Sequence, residues 1–235
     1  MFVTDIHNHV LFDIDDGSYD VDMSIEMLKM GADKVFCSSH SWGDLEKYWN
    51  NFNKLKQRIS DENLNVDIYS GCEIYCEMSE IELIAQDIND GNIPTLNQTS
   101  YILIEFSTEE VCENIVYMVE TLKQLTNKNI IIAHIERYKN LYNDLQAIEY
   151  LHNSGVYFQV NIYSFVNESK KQIKEFARKL LNSNYITFVG SDSHTTHHRP
   201  PKLDDGIKYI WENCEPNYAA DICYKNAEKM LIKGE

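Results

Sequence analysis

Short apolar segments and amphipathic segments alternate along the chain. Seven segments are rich in Val, Ile, Tyr and Phe, as strands are: "FVTDIHNH", "KVFCSSH", "NVDIYSGCE", "YILIEF", "NIIIAH", "VYFQVN" and "YITFVGSDSH". Between them lie helical patterns such as "DMSIEMLKMGA", "DLEKYWNNFNKLKQRI", "VCENIVYMVETLKQL" and "SKKQIKEFARKLL". This alternation predicts βαβ units and a parallel sheet. Seven units favour a closed or nearly closed barrel, with a doubly wound open sheet as the alternative.

Six of the seven predicted strands end in a residue type that binds metal ions. In α/β barrels the active site lies at the C-terminal ends of the strands. The first strand ends in two histidines one residue apart, which point to the same side because a strand has a period of two. Only the sixth strand ends in a weaker ligand, Asn161. The sequence therefore predicts a metal site, with these candidate ligands: His7, His9, His40, Glu73, Glu105, His134, Asp192 and His194.

Length and charge limit the classes of protein. The chain has 235 residues, 43% of them hydrophobic, which suits one α/β domain over residues 1–235. Its formal net charge of -16 argues against a nucleic-acid partner, because phosphate backbones bind basic surfaces. No signal peptide and no apolar run of membrane-spanning length is visible. We therefore expect a cytoplasmic protein without membrane insertion.

The six cysteines do not have the spacing of zinc knuckles, and we expect free, buried thiols. One class of phosphatase uses a cysteine nucleophile with an arginine six positions later. None of the six cysteines has an arginine at that position. If the protein removes phosphate groups, metal ions and not a thiolate carry the chemistry.

Several motifs occur in a fixed order over residues 5–201: "DIHNHVLFDIDDG", "SSH", "GCEIY", "IPTLNQTSYILIEF", "IAHIERY", "QVN", and "GSDSH" with "RPP" soon after. The ordered set resembles the polymerase-and-histidinol-phosphatase (PHP) domain. More closely, it resembles the bacterial metal-dependent protein-tyrosine phosphatases of capsule and exopolysaccharide biosynthesis. The resemblance implies a distorted, TIM-like barrel of seven βα units. It also implies two or three divalent ions, most often manganese, with iron, zinc, cobalt or magnesium as alternatives.

The resemblance also implies a role for each candidate residue. One ion takes His7, His9, Glu73 and Asp192. A second ion shares Glu73 and adds Glu105 and His134. A third takes His40, His194 and Asp16, for which Asp13 and Asp15 in the same loop are alternatives. Two arginines, Arg137 in "HIERY" and Arg199 in "HRPP", match arginines that hold the phosphate.

The implied reaction is hydrolysis of phosphotyrosine by a metal-activated hydroxide, on a phosphotyrosine protein such as a bacterial tyrosine kinase that controls capsule synthesis. A small-molecule phosphatase, for example one acting on histidinol phosphate, would use the same ions. Amidohydrolases and metal-dependent deoxyribonucleases also begin with two such histidines. The absence of a strand-end lysine argues against the first, and the acidic charge argues against the second. The nearly complete ligand set argues against a non-catalytic binding module.

Two segments leave the substrate open. The stretch "SWGDLEKYWNN" after His40 does not match the family pattern. His197 and His198 lie in a loop between His194 and Arg199. They either belong to a solvated loop or approach the substrate, and His197 is a hypothetical proton donor to the leaving group.

Overall fold

The structure, a computed structural model, describes residues 2–40, 44–167 and 170–234. Residues 41–43 of the unmatched "SWGDLEKYWNN" stretch therefore lie outside the described residues. Strands β1–β3 form one parallel sheet and β4–β8 form a second, each in chain order, which confirms the α/β class. The strands are β1 (Thr4–Asn8), β2 (Lys34–Cys37), β3 (Asp67–Ser70), β4 (Glu73–Tyr75), β5 (Tyr101–Glu105), β6 (Asn129–Ile132), β7 (Tyr157–Asn161) and β8 (Phe188–Gly190).

The helices are α1 (Val21–Met30), α2 (Leu45–Asp61), α3 (Ile81–Asp90), α4 (Cys112–Thr126), α5 (Leu145–Asn153), α6 (Lys171–Asn182), α7 (Asp204–Asn213) and α8 (Pro216–Ala220). The last continues in wider π-type turns, Asp221–Lys225 and Ala227–Ile232. The four predicted helical patterns correspond to α1, α2, α4 and α6 within two residues at each end. An aspartate accepts a hydrogen bond from the first turn of α1, α2 and α5 and so fixes where each begins.

The third predicted strand is divided into β3 and β4, so the described residues form eight strands and not seven. No helix separates β3 from β4, and the strands and helices therefore still form seven βα units, as predicted. The cause of the division lies at Gly71, between the two strands. The Tyr48 hydroxyl accepts from the Gly71 N–H at 2.9 Å and donates to the Gly71 carbonyl at 3.0 Å. A side chain thus takes both backbone groups that a neighbouring strand would otherwise pair. Glu73 consequently begins β4 and does not end the preceding strand.

The two sheets adjoin at both of their edges. His40, just after β2, pairs with Glu73 at the start of β4, and Asn8 pairs with Ser193 beyond β8. The Asp192 N–H donates to the His7 carbonyl at 2.7 Å, and the His9 N–H donates to the Ser193 carbonyl at 2.9 Å. The carboxyl ends of β1 and β8 are therefore held side by side. The strand pairing still leaves two separate sheets, and closure into a barrel stays a prediction.

The strands bury apolar side chains on both faces. In β6, Ile130 and Ile132 belong to the main core under the helices, whereas Ile131 belongs to a second apolar cluster. That second cluster draws residues from both sheets and from the C-terminal turns: Ile6, Phe36, Leu96, Leu103, Ile131, Ala133, Phe188, Ala227 and Leu231. Burial on both faces explains why the strand sequences are continuous apolar runs. Polar residues at the strand ends are exceptions to this pattern.

Candidate metal centre

The two histidines of the first strand segment meet, as the strand period predicts. His7 lies in β1 and His9 follows it, both fully buried, with their Nε2 atoms 3.3 Å apart. Gly190 allows β8 to approach, because a Cβ there would lie only 2.6 Å from the His7 Cβ. The sequence thus places two imidazoles at the junction of β1 and β8.

Glu73 occupies the middle of the site and is 2% exposed. Its Oε2 lies 3.0 Å from His7 Nε2, 3.1 Å from His9 Nε2 and 3.5 Å from His40 Nε2. Its Oε1 lies 3.0 Å from His134 Nε2. Glu105, at the end of β5, lies on the same side, with Oε1 3.2 Å from His134 Nε2. The two oxygens of Glu73 therefore face different imidazoles.

Asp192 and His194 approach from the segment after β8. Asp192 Oδ1 lies 3.7 Å from His7 Nε2 and 3.6 Å from His9 Nε2. The His194 ring stacks on the His9 ring with centroids 3.8 Å apart. Burial, together with the nearby charges of His9 and Arg199, lowers the pKa of His194 to about 3. His194 is therefore a neutral imidazole at neutral pH, the form that can bind a metal.

All nine sequence-predicted ligand residues lie in this one region. We call it the carboxylate–imidazole cluster: His7, His9, Asp16, His40, Glu73, Glu105, His134, Asp192 and His194. Within it, three groups bring possible ligand atoms within 4.8 Å of one another: His7, His9, Glu73 and Asp192; His9, Asp16 and His40; and His40, Glu73 and Glu105. The first group has the same members as the first implied ligand set. His134 and His194 belong to none of the three, and the role of every residue of the cluster as a ligand stays a prediction.

The imidazoles of the cluster are oriented for metal binding. The Nδ1 atom of His7 donates to Gln159 Oε1 at 3.0 Å, and that of His9 pairs with Asp15 Oδ2 at 2.7 Å. The Nδ1 atoms of His40 and His194 each lie 3.2 Å from a backbone carbonyl oxygen. Oxygen partners on Nδ1 leave the Nε2 atoms of His7, His9 and His40 for the cluster, which is the usual outer arrangement around metal-bound histidines.

The electrostatics of the cluster also fit a cation. Burial opposes ionisation of Glu73, but the nearby His7 and hydrogen bonds from His134, His7 and His9 outweigh it and hold the Glu73 pKa well below its usual range. Burial likewise opposes protonation of His9, yet Asp15 and Glu73 raise its pKa to about 10. Protons on imidazoles thus balance the buried carboxylates when no metal is bound. Divalent ions that favour nitrogen and oxygen donors, such as manganese or zinc, would replace them.

Asp15 holds two of the cluster histidines in place. Its Oδ2 accepts from the His40 N–H at 2.7 Å and contacts His9 Nδ1, while Oδ1 accepts from the Gly17 N–H at 2.9 Å. A Cβ on Gly17 would lie 2.2 Å from the His9 carbonyl oxygen, so this tight turn requires glycine. Asp15 therefore orients ligands and does not face the cluster itself.

The other two aspartates of the loop differ in position. Asp13 is 64% exposed and forms an ion pair with Lys47 at 3.1 Å. Asp16 is 71% exposed, and its Oδ1 lies 3.3 Å from His194 Nε2. Of the three aspartates, the geometry places Asp16 at the edge of the cluster.

Strand β7 contributes two polar side chains to the site. Gln159 was not identified from the sequence, and Asn161 was named there only as a weaker ligand. Gln159 Oε1 accepts from the His134 N–H at 2.7 Å as well as from His7. Gln159 Nε2 donates to Asn161 Oδ1, and Asn161 Nδ2 donates to Asp192 Oδ2, both at 2.9 Å. These residues connect ligands from three segments. Their signal in the sequence is the alternation in "FQVN", which places two polar side chains on the inner face.

The two candidate phosphate-binding arginines converge on Asp192. Arg137 Nη1 donates to Asp192 Oδ2 at 3.0 Å, and Arg199 forms an ion pair with the same oxygen. Arg199 Nη1 also lies 2.8 Å from His194 Nε2. Both guanidinium groups are partly exposed and line an open cavity of about 700 Å³, together with the exposed His197 and His198. The arginines thus stand between the buried cluster and solvent.

A family model described as "Capsular polysaccharide synthesis, CpsB/CapC" matches residues 3–232. The chain belongs to this family. It is 29% identical to the tyrosine-protein phosphatase CpsB of Streptococcus agalactiae serotype III (strain NEM316), with 97% of each chain covered. It is 28% identical to the tyrosine-protein phosphatase YwqE of Bacillus subtilis (strain 168), over 97% of this chain and 91% of that one. The resemblance to PHP-related phosphatases is confirmed.

Solved structures agree with this assignment to the CpsB/CapC family. A structure of YwqE and CpsB, described as unique metal-dependent tyrosine phosphatases, superimposes with a TM-score of 0.86 at 25% identity, covering 99% of this chain and 95% of that one. A putative histidinol phosphatase from Listeria monocytogenes gives a TM-score of 0.51 at 12% identity, covering 83% of this chain and 95% of that one. The second likeness shows a shared fold alone.

The cysteines of this CpsB/CapC family member agree with its sequence. None of the six cysteines, all of which lie among the described residues, forms a disulfide, and five are buried. Burial raises the pKa of Cys76 to about 12 and that of Cys112 to about 11, so these thiols stay protonated and unreactive. Among the described residues, no helix is both long and apolar enough to cross a membrane.

Proposed function

We propose that this chain is a cytoplasmic, metal-dependent protein-tyrosine phosphatase that acts as a single catalytic domain. Its substrate is a phosphotyrosine protein of capsule or exopolysaccharide synthesis, in the first place a bacterial tyrosine kinase. One observation carries this proposal: Arg137 and Arg199 converge on Asp192 at the edge of the carboxylate–imidazole cluster. The activities named for the CpsB and YwqE relatives support it.

In this proposal the cluster holds two or three divalent ions, most often manganese. The ligand set for the first is His7, His9, Glu73 and Asp192, and the proximity of Glu73 Oε1 to His134 supports Glu73 as a ligand shared with a second ion. When bound, such ions activate a water as nucleophile and neutralise phosphate oxygens. Asp15 and Gln159 fix the imidazole rings so that their Nε2 atoms point at one place.

The two arginines hold the phosphate. Guanidinium groups are planar forks that donate paired hydrogen bonds to phosphate oxygens. Arg137 and Arg199 are partly exposed in the open cavity, so a phosphate that enters from solvent reaches them first. Their donors contribute most when negative charge grows on the transferring group. Asp192 keeps both guanidinium groups at the edge of the cluster before substrate arrives.

The phenol leaving group needs only modest assistance from a proton donor. A tyrosine hydroxyl has a pKa of about 10, so the phenolate leaves more readily than an alkoxide. His197 and His198 are exposed and line the cavity in which the phenolate departs. In this proposal one of these imidazoles supplies the proton.

A side-by-side comparison of substrates tests the proposed function. Chelator-treated protein is reloaded with manganese and given a phosphotyrosine peptide, the matching phosphoserine peptide and histidinol phosphate. We expect metal-dependent release of phosphate from phosphotyrosine and much slower release from the other two. Faster turnover of histidinol phosphate would make it a small-molecule phosphatase. Phosphotyrosine turnover that survives complete removal of metal would refute the metal-dependent reaction.

A further inference from the structure

The cavity beside the cluster differs in charge from the rest of the chain. The chain has 37 Asp and Glu against 21 Lys and Arg. Among the residues that the structure describes, the cavity lining reverses this balance, since it contains five Lys and Arg and a single carboxylate, Asp192. We call it the basic cavity, with Arg137, Lys139, Lys170, Arg199 and Lys202 as its cations. Its volume of about 700 Å³ is far larger than a phosphate group and admits several residues of a peptide.

The five cations are not equally available to a ligand. Arg137 and Arg199 pair with Asp192, and Lys139 pairs with Glu109. Lys170 and Lys202 are exposed, and neither has a carboxylate within ion-pair distance among residues 2–40, 44–167 and 170–234. A substrate phosphate takes the two arginines. The two lysines then remain as positive charges without an anionic partner in the described part of the chain.

Lys202 lies where the basic cavity meets a second cavity. Lys202 and Tyr163 also line an adjoining cavity of about 790 Å³, so the groove continues away from the cluster. Beyond Lys202 the lining of this second cavity has more acidic than basic residues: Asp33, Asp204 and Asp205 against Lys208. This balance disfavours an anion further along the groove. A second negative charge of the substrate is therefore favoured in the basic cavity, close in sequence to the phosphotyrosine.

We propose that Lys170 and Lys202 bind an anionic group that flanks the phosphotyrosine, either a carboxylate side chain or a second phosphate. This inference rests on the proposed function and names the class of peptide that the site prefers. The lysines act on binding and not on the chemical step, because they lie outside the cluster. Charges at the rim of an interface act mainly on encounter and salt dependence.

The test uses four phosphotyrosine peptides that differ only in the flanking residues: alanine, glutamate, lysine or a second phosphotyrosine. Steady-state kinetics are measured on the metal-loaded wild type, the Lys170→Ala/Lys202→Ala double variant and the control Lys56→Ala, which removes an exposed lysine of α2. For wild type we expect a KM about five- to tenfold lower for the anionic peptides than for the alanine peptide, at similar kcat, as two exposed ion pairs allow. The double variant loses this preference and the control keeps it. Turnover of p-nitrophenyl phosphate is unchanged in both.

A charge reversal sharpens the test. Lys170→Glu/Lys202→Glu should prefer the lysine-flanked peptide. The comparison of glutamate with the second phosphotyrosine identifies which anion binds more tightly. Equal KM values for all four peptides on wild type, or a preference for anionic peptides that persists in the double variant, would overturn the inference and leave the phosphatase intact. Absence of metal-dependent turnover of every substrate would overturn the proposed function and the inference together.

Discussion

The carboxylate–imidazole cluster and the basic cavity meet at Asp192 but hold their charges in opposite environments. In the cluster, His7 and His9 are fully buried and Glu73 is 2% exposed. Buried charges of this kind are stable only when each has a partner, and loss of one partner leaves the others uncompensated. In the cavity, Lys170 and Lys202 are exposed and hydrated. A substitution in the cluster should therefore change metal binding, whereas one at Lys170 or Lys202 should change only which phosphotyrosine peptides bind tightly.

The largest effect is expected at Glu73. Glu73→Ala removes the carboxylate that faces His7, His9, His40 and His134. We expect loss of metal and a fall in turnover beyond the roughly 10–100-fold that outer partners of metal ligands typically contribute. Elemental analysis measures the metal content, circular dichroism the fold, and phosphotyrosine kinetics the turnover. A folded variant that keeps its full metal content would show that Glu73 is not a shared ligand.

Variants of the two arginines should lose catalytic activity without losing metal. Arg137→Ala and Arg199→Ala each remove a donor group from the phosphate, with an expected loss of about 10²-fold in kcat and unchanged metal content. Arg→Lys should restore activity only in part, because a point charge replaces a planar fork. If these arginines are only structural partners of Asp192, the variants will melt at lower temperature yet turn over normally.

A variant of Gln159 tests the hydrogen bonds that orient the candidate ligand histidines. Gln159→Ala removes the acceptor for His7 Nδ1 and for the His134 N–H. We expect metal affinity or activity to fall about 10- to 100-fold. Metal titration followed by isothermal calorimetry gives the affinity, with Gln57→Ala on the exposed face of α2 as the matched control. Equal affinities for the two variants would mean that the rings are oriented by packing alone.

The sequence predicts some parts of the structure and not others. Most of the candidate ligands could be predicted because they end or closely follow an apolar strand, where a polar residue is conspicuous. Glu73, which begins β4, and Asp16, which lies in a loop, are the exceptions. The division of the third strand could not be predicted, because it depends on Tyr48, 23 residues before Gly71, reaching across to its backbone. The roles of Asp13, Asp15 and Asp16 could not be separated either. They lie in one loop, and only the fold brings Asp15 against His9 and His40.

The stability of the metal-free protein should depend on pH through the cluster. Burial opposes protonation of His9 and His134, but nearby carboxylates outweigh it and raise their folded-state pKa values above the ordinary value of 6.5, to about 10 and about 9. Groups with raised pKa values stabilise the fold fully below the unfolded pKa and lose that contribution as the pH rises through the folded values. Between pH 7 and 10 we therefore expect the melting temperature of chelated protein to fall more than that of metal-loaded protein. A parallel fall in both would contradict this, and chelated His9→Gln, which lacks the His9 contribution, is the control.

The smallest effect is expected at His197. Because phenolate is a fair leaving group, His197→Ala should lower kcat for phosphotyrosine by less than the roughly 10²-fold typical of a general acid. A series of aryl phosphates with rising leaving-group pKa measures the dependence. The deficit should grow along the series if His197 supplies the proton. A deficit that is constant along the series would assign it to binding.

The shared oxygen of Asp192 has a consequence for the end of each catalytic cycle. Arg137 and Arg199 both contact Asp192 Oδ2, so this carboxylate competes with any phosphate group for their N–H donors. The same competition acts on the inorganic phosphate that hydrolysis leaves behind. When the product departs, Asp192 takes back both guanidinium groups, and no bare pair of cations retains the anion. We therefore expect weak product inhibition, and in an Asp192→Asn variant slower release of inorganic phosphate from the arginines.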